Sequence, residues 1–180
     1  MKVAASRRAL LFCLTAALLA VLAAPVATAR TQRTAHQTGL ENDVLAQLNT
    51  IRVSHGLVAL TLSPGLDAAA TQHTREMIRL DYFSHDSADG TSFDDRIERY
   101  YPFSAKFTNW SVGENLVWGE PGLDAAEALR SWMASPPHRR NILDPAWRDI
   151  GIAALHVTDA PSAFGGEDVT VITTDFGVRS

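Results

Sequence analysis

The chain has 180 residues, of which 16 are Lys or Arg and 20 are Asp or Glu, for a formal net charge of −4. Three of the basic residues, Lys2, Arg7 and Arg8, fall within the first 29; without that segment 13 basic residues face 20 acidic ones, a net charge of −7 over 151 residues. So acidic a balance argues against nucleic acid as the main partner, and 151 residues suit one domain with one core.

The first segment reads as a targeting signal, not as part of the fold. Its three basic residues precede the apolar run "ALLFCLTAALLAVLAAPV", and the small residues "ATA" at Ala27–Ala29 offer a cleavage point. This is the pattern of a secretory signal peptide over residues 1–29, so the chain is expected to be secreted. The single cysteine, Cys13, sits near the start of the apolar run, whereas a lipid-modified cysteine would sit at its end. The exported chain is then left without a thiol nucleophile, a disulfide or a thiolate ligand, and its core alone must hold it. No later apolar run is long enough to span a bilayer.

Residues 30–39, "RTQRTAHQTG", are polar and aperiodic and predict a flexible linker. Val44, Leu45, Leu48 and Ile51 recur at helical spacing, which predicts a helix from about Asn42 to His55 with Gly56 after it. A second helix is marked by Ser63 as N-cap and Pro64 as first residue. Its inward stripe is Leu66, Ala69, Ala70, His73, Met77 and Leu80. "SHDSADGTSF" is a turn-rich loop; Ala88 and Gly90 stand where an EF-hand needs ligands. "FDDRIERYY" predicts a short helix and "WSVGENLVWG" a strand. Asp124 and Glu127 open a further helix, to about Ser135, with Ala125, Ala128, Leu129 and Trp132 inward. "DIGIAALHV" and "VTVITTDFG" are near-continuous apolar strands with both faces covered, joined by a loop as an antiparallel pair. This order lacks the regular alternation of a parallel sheet and predicts an α+β fold, a small sheet with helices on both sides.

There is no G-x-S-x-G elbow, no H-E-x-x-H helix and no glycine-rich phosphate loop. The remaining candidates are polar residues in apolar settings. Glu114 shares one face of its strand with Val112, Leu116 and Trp118. A carboxylate there must be hydrogen-bonded, paired or metal-bound, unless it reaches solvent at the strand end or a bulge at Gly113 turns it outward. His85 follows "DYFS" at the exit of the second helix, in a loop that either carries function or simply meets solvent. His138 follows Pro136 and Pro137, which stop the preceding helix. At a helix N-terminus its imidazole is held neutral, the form that binds metal, or it is a plain surface residue. His73, on the apolar stripe, is expected to be a packed, hydrogen-bonded histidine. His36, His55 and His156 have no supporting context, and Arg139 and Arg140 are expected at the surface.

Taken in order, "LNTIRVSHGLVALTLSPGLDAAATQHTREM", "YFSH", "VGENLVWG", "SWMASPPHRRNIL", "DIGIA" and "TTDFG" resemble the CAP domain, also called the SCP or cysteine-rich secretory protein, antigen 5 and pathogenesis-related family. The likeness is to its bacterial secreted branch and spans residues 40–178. The resemblance implies a three-layer α-β-α sandwich around a small, mainly antiparallel sheet. It also implies a cleft lined by two histidines and acidic residues, which in some relatives binds a divalent cation such as zinc. Carried over, the cleft residues and metal ligands are His85, Glu114 and His138. One departure stands out: relatives often place a second glutamate where this chain has Ser135. The resemblance leaves three functions open. The preferred one is a non-enzymatic binding or interaction module whose partner is an extracellular small molecule, lipid or protein. The second is a metal-dependent hydrolase with zinc on His85 and His138 and Glu114 as base. The third is a lipid or sterol binder using an apolar groove between helices.

Overall fold

The computed structural model describes residues 32–180, so the signal expected at residues 1–29 lies outside it. Four strands make the body of one sheet, in the order β1 (Arg33–His36), β4 (Asp149–Thr158), β5 (Val169–Arg179) and β3 (Trp110–Gly119), each antiparallel to its neighbour. A two-residue strand, β2 (Thr61–Leu62), pairs in parallel with the start of β4. The helices are α1 (Thr38–Ser54), α2 (Pro64–Leu80), α3 (Phe93–Glu98), α4 (Ala125–Ala134) and α5 (Pro136–Ile142). The expected three-layer α-β-α sandwich is present.

Alternation along the strands sorts the layers. Ile150, Ile152 and Ala154 of β4 and Ile172 and Phe176 of β5 face α1, α4 and α5, packing with Val44, Leu48, Leu129, Trp132 and Ile142. The opposite faces, with Leu155, Val157, Val171 and Leu116, meet α2 at Met77 and Ile78. Leu66 and Ala69 extend that layer to Ile97 of α3 and to Tyr101. β4 and β5 are therefore buried on both sides, as their unbroken apolar runs require.

Two boundaries differ from the sequence expectation. Residues 30–39 do not form a linker throughout: Arg33–His36 adds to the sheet edge and α1 begins at Thr38. All four β1 side chains are exposed, so the strand is held by backbone pairing, which leaves no hydrophobic period to read. Leu80 closes the predicted stripe of α2 but is 43 % exposed, because the helix ends there on Asp81 in a left-handed conformation (φ 58).

α2 crosses the sheet at its closest on Gly151. A Cβ there would lie 2.0 Å from the carbonyl carbon of Leu66 and 2.2 Å from the amide nitrogen of Asp67, backbone that cannot swing aside. Gly151→Ala is therefore expected to lower the unfolding free energy by about 3 kcal/mol, read from urea denaturation of the purified chain.

Candidate functional site

The site lies on the α2 side of the sheet and is built around Glu114. This residue sits mid-strand in β3, only 4 % exposed, on the same face as Val112 and Leu116. Its cross-strand neighbour on β5 is Asp175, which is fully buried. Two carboxyl groups thus share an apolar layer. One cation answers them: Arg96 of α3, 1 % exposed, whose Nη2 donates to Glu114 Oε2. Arg96 Nη1 also donates to the backbone oxygen of His85 (2.7 Å), which fixes the loop after α2.

That loop is tight. Ser87 N donates to Thr91 O and Gly90 N to Ser87 O, both at 2.9 Å, with Gly90 at φ 84. It delivers the His85 ring to Glu114, with Nδ1–H donating to Oε1 at 2.8 Å. The side chain of His85 stays 48 % exposed while that of Glu114 is 1 % exposed. His85 is therefore the solvent-facing end of a buried charge network.

Burial dominates the electrostatics. It raises the Glu114 carboxyl to about 7, with Arg96 the largest opposing influence. Asp175 is pushed well above the ordinary carboxylate range by burial and then by Glu114. Neither Asp175 oxygen meets an N–H or O–H donor of another residue, so a proton retained on Asp175 and directed at Glu114 satisfies both groups. The pair then carries one negative charge beside one guanidinium. Burial also lowers His85, with Arg96 second.

His138 is the third residue of α5, after Pro136 and Pro137 in the first turn. Its ring is half-buried, and burial followed by the field of His85 keeps it neutral more readily than an ordinary imidazole. Two asparagines tie this helix to β3. Asn115 Nδ2 donates to the His138 carbonyl (3.1 Å); Asn141 Nδ2 donates to the Glu114 carbonyl and to Asn115 Oδ1, both at 2.9 Å. His73 is a buried histidine as expected, with Nε2 on the Ser84 carbonyl (2.9 Å) and burial lowering it to about 4.

The three residues expected from the sequence play unequal parts. His85 and Glu114 touch; His138 lies within electrostatic reach of His85 without a bond to it. Among the described residues no group of three or more His, Cys, Asp or Glu is placed to hold a metal ion. One Glu114 oxygen accepts from Arg96 and the other meets His85. The donors that fit a cation are the two imidazoles, with Glu114 behind His85 as the carboxylate that orients a ligating ring.

Arg96, Asn115, Asn141 and Asp175 were not singled out from the sequence. Asp175 carried the same signal as Glu114, a carboxylate inside an apolar strand. Arg96 sits one residue before Ile97 on a helix too short for its period to separate inside from outside. Ser135 is the joint between α4 and α5, with no capping hydrogen bond from its side chain. The second carboxyl of this site comes from β5 instead.

A sandwich of this topology, with "YFSH" and "PHRRNIL" approaching "GEN" at the β3 edge of the sheet, defines a CAP domain. The model of the CAP, cysteine-rich secretory protein, family matches residues 45–172, and the chain belongs to that family. Among curated proteins it is 31 % identical over 117 residues to the uncharacterized membrane protein YlbC of Bacillus subtilis, which covers 64 % of this chain and 32 % of YlbC. It is 31 % identical over 113 residues to the uncharacterized protein YkwD of the same organism, 62 % of this chain and 41 % of YkwD. The chain thus spans well under half the length of the curated relatives it matches. An extracellular Bacillus anthracis protein containing an SCP domain superposes with a TM-score of 0.58 at 25 % identity, over 77 % of this chain and 40 % of that one. An outer surface protein of Borrelia burgdorferi shares the fold, with a TM-score of 0.66 at 19 % identity over 83 % of this chain and all of that one.

Two outcomes are expected of the buried network. Arg96→Met leaves the carboxyl pair without its cation and should cost about 3–5 kcal/mol in urea denaturation. Because Glu114 titrates higher folded than its ordinary 4.5, the folded state holds the extra proton. Its contribution to stability is full below that value and is lost as pH rises through about 7. The urea midpoint should fall across this window, and Glu114→Gln should flatten the fall.

Proposed function

We propose that this CAP-domain protein is an exported, non-enzymatic binding module whose contact surface centres on His85 and His138, and that the two imidazoles take a divalent cation such as zinc. The observation that carries this reading is the His85–Glu114 pair. A half-exposed ring is fixed through Nδ1 by a buried carboxylate, which leaves Nε2 as its outward donor. Both rings are biased toward the neutral, metal-binding form. With two protein ligands only, zinc keeps open positions for a carboxylate or imidazole of a partner, and its affinity is modest. Export is supported by the leader pattern and by the extracellular and surface origins of the structural relatives.

Hydrolysis is the weaker reading because Glu114, the proposed base, is already engaged by Arg96 and His85. A binder of apolar chains draws on a groove of about 340 Å³ between α1 and α4, beside Ile51, Ala126 and Leu129. It stands second because Gln47, Thr50 and Arg130 share those walls.

Zinc titration by calorimetry tests the proposal. The wild-type chain should bind one equivalent, and His85→Ala/His138→Ala should weaken binding at least about tenfold while the variant, which loses the hydrogen bond to buried Glu114, stays folded at a stability about 1–3 kcal/mol lower in urea denaturation. Equal binding by wild type and double variant removes the imidazole pair as the contact; ester hydrolysis that the double variant abolishes would replace a binding module by an enzyme.

A further inference from the structure

The face of β3 that carries Glu114 continues to Trp118. The two are four positions apart, about 13 Å at strand spacing. Trp118 opens onto a second concavity, distinct from the His85 surface, with a volume of about 580 Å³. Its walls include Trp118, Pro121 and Phe164, and its rim carries Glu120, Glu167 and Asp168. Among the described residues that line it there is no lysine, arginine or histidine.

The floor is held rigid. The ring of Phe164, fully buried, meets the Trp118 indole edge-on, with centroids 5.8 Å apart at 77°. Phe83 also packs edge-on against Phe164, at 6.0 Å and 78°. Phe164 itself ends a single turn of 3-10 helix, Ser162–Phe164, which Asp81 anchors to the end of α2. Ser162 Oγ and Ala163 N both donate to the Asp81 carboxylate at 2.7 Å. Gly165 and Gly166 then turn the chain at positive φ and carry Glu167 to the rim. Asp168 is fixed by the Asp159 amide, which donates to its Oδ1 at 2.9 Å. The side chains of Glu120 and Glu167 have no ion pair among the described residues.

We infer that this groove binds a free quaternary-ammonium solute, its methyl groups against the Trp118 indole and its charge answered by the carboxylates of Glu120, Glu167 and Asp168. The charge complementarity selects a cation. The aromatic and proline walls select one that is weakly hydrated: a primary ammonium needs hydrogen-bond acceptors close around it, whereas a trimethylammonium group needs an aromatic face and a negative field. The volume is that of a small-molecule site.

The probe is choline chloride, titrated calorimetrically into the full chain against a sodium chloride blank of equal ionic strength. Saturable binding with a Kd on the order of 1 mM is expected. The uncharged carbon isostere, with tert-butyl in place of trimethylammonium, should bind about tenfold more weakly. Glu120→Gln/Glu167→Gln, two exposed positions that leave the packing alone, should weaken choline about fivefold. Trp118→Ala should abolish saturation. His85→Ala/His138→Ala should leave choline binding unchanged, so this site and the imidazole surface succeed or fail separately. Equal affinity for choline and its isostere overturns the inference, as does indifference to the Glu120/Glu167 pair. Binding to phosphatidylcholine vesicles without binding of free choline overturns the assignment to a free solute.

Discussion

Two carboxyl groups on neighbouring strands cannot both be ionised inside an apolar layer, and the placement of everything around Glu114 and Asp175 follows from that constraint. A single guanidinium is buried with them, so one charge is cancelled and one proton is retained. Arg96 has to come from an element that reaches the sheet, which accounts for the short α3 lying against β3. The same guanidinium holds the His85 carbonyl, so the residue that neutralises the core also aims the surface imidazole. Stability and site geometry are thereby one problem with one solution.

The other side of β3 solves a different problem. β3 is the edge of the sheet, and an edge exposes unpaired backbone groups. Trp132 Nε1–H donates to the Leu116 carbonyl at 3.0 Å, and Asn141 covers the Glu114 carbonyl. The edge is closed by side chains of α4 and α5, and His138 is placed by the same closure. Arg52 completes it from α1: wholly buried, it donates through Nη1 to the carbonyls of Ile142 and Asp144 at 2.7 and 2.9 Å. A cation at the end of α5 complements the helix dipole while pinning that helix to the first one.

Much of this was legible in the sequence. The hydrophobic periods of α2 and α4, the proline stop before His138 and the apolar runs of β4 and β5 are strong local signals, and each element formed where its pattern lay. β1 was not legible, since a strand held by its backbone writes no pattern in its side chains. At the site, the apolar company of Glu114 marked it as a candidate cavity acid or metal ligand, with a solvent-reaching strand end as the alternative. Its partners were hidden because pairing is a property of register: nothing local tells that Asp175 lies opposite Glu114, or that Arg96 of a six-residue helix reaches them both. The ligand set of His85, Glu114 and His138 came from the resemblance, which does not show that Glu114 is shared with a guanidinium.

The order of the strands also decides how the domain is presented. β1 opens the described chain at one edge of the sheet and β3 carries Glu114 at the other. Three strand spacings, about 14 Å, separate them. Anything joined to the domain ahead of β1 is thus attached on the far side of the sheet from the strand beneath His85. The imidazole surface rides on β3, the strand remote from that junction, whereas the Trp118 groove is walled in part by the loop that follows Thr158, the partner of Arg33 where β1 begins; a tether ahead of β1 therefore leaves the imidazole edge clear and runs past the loop of the groove.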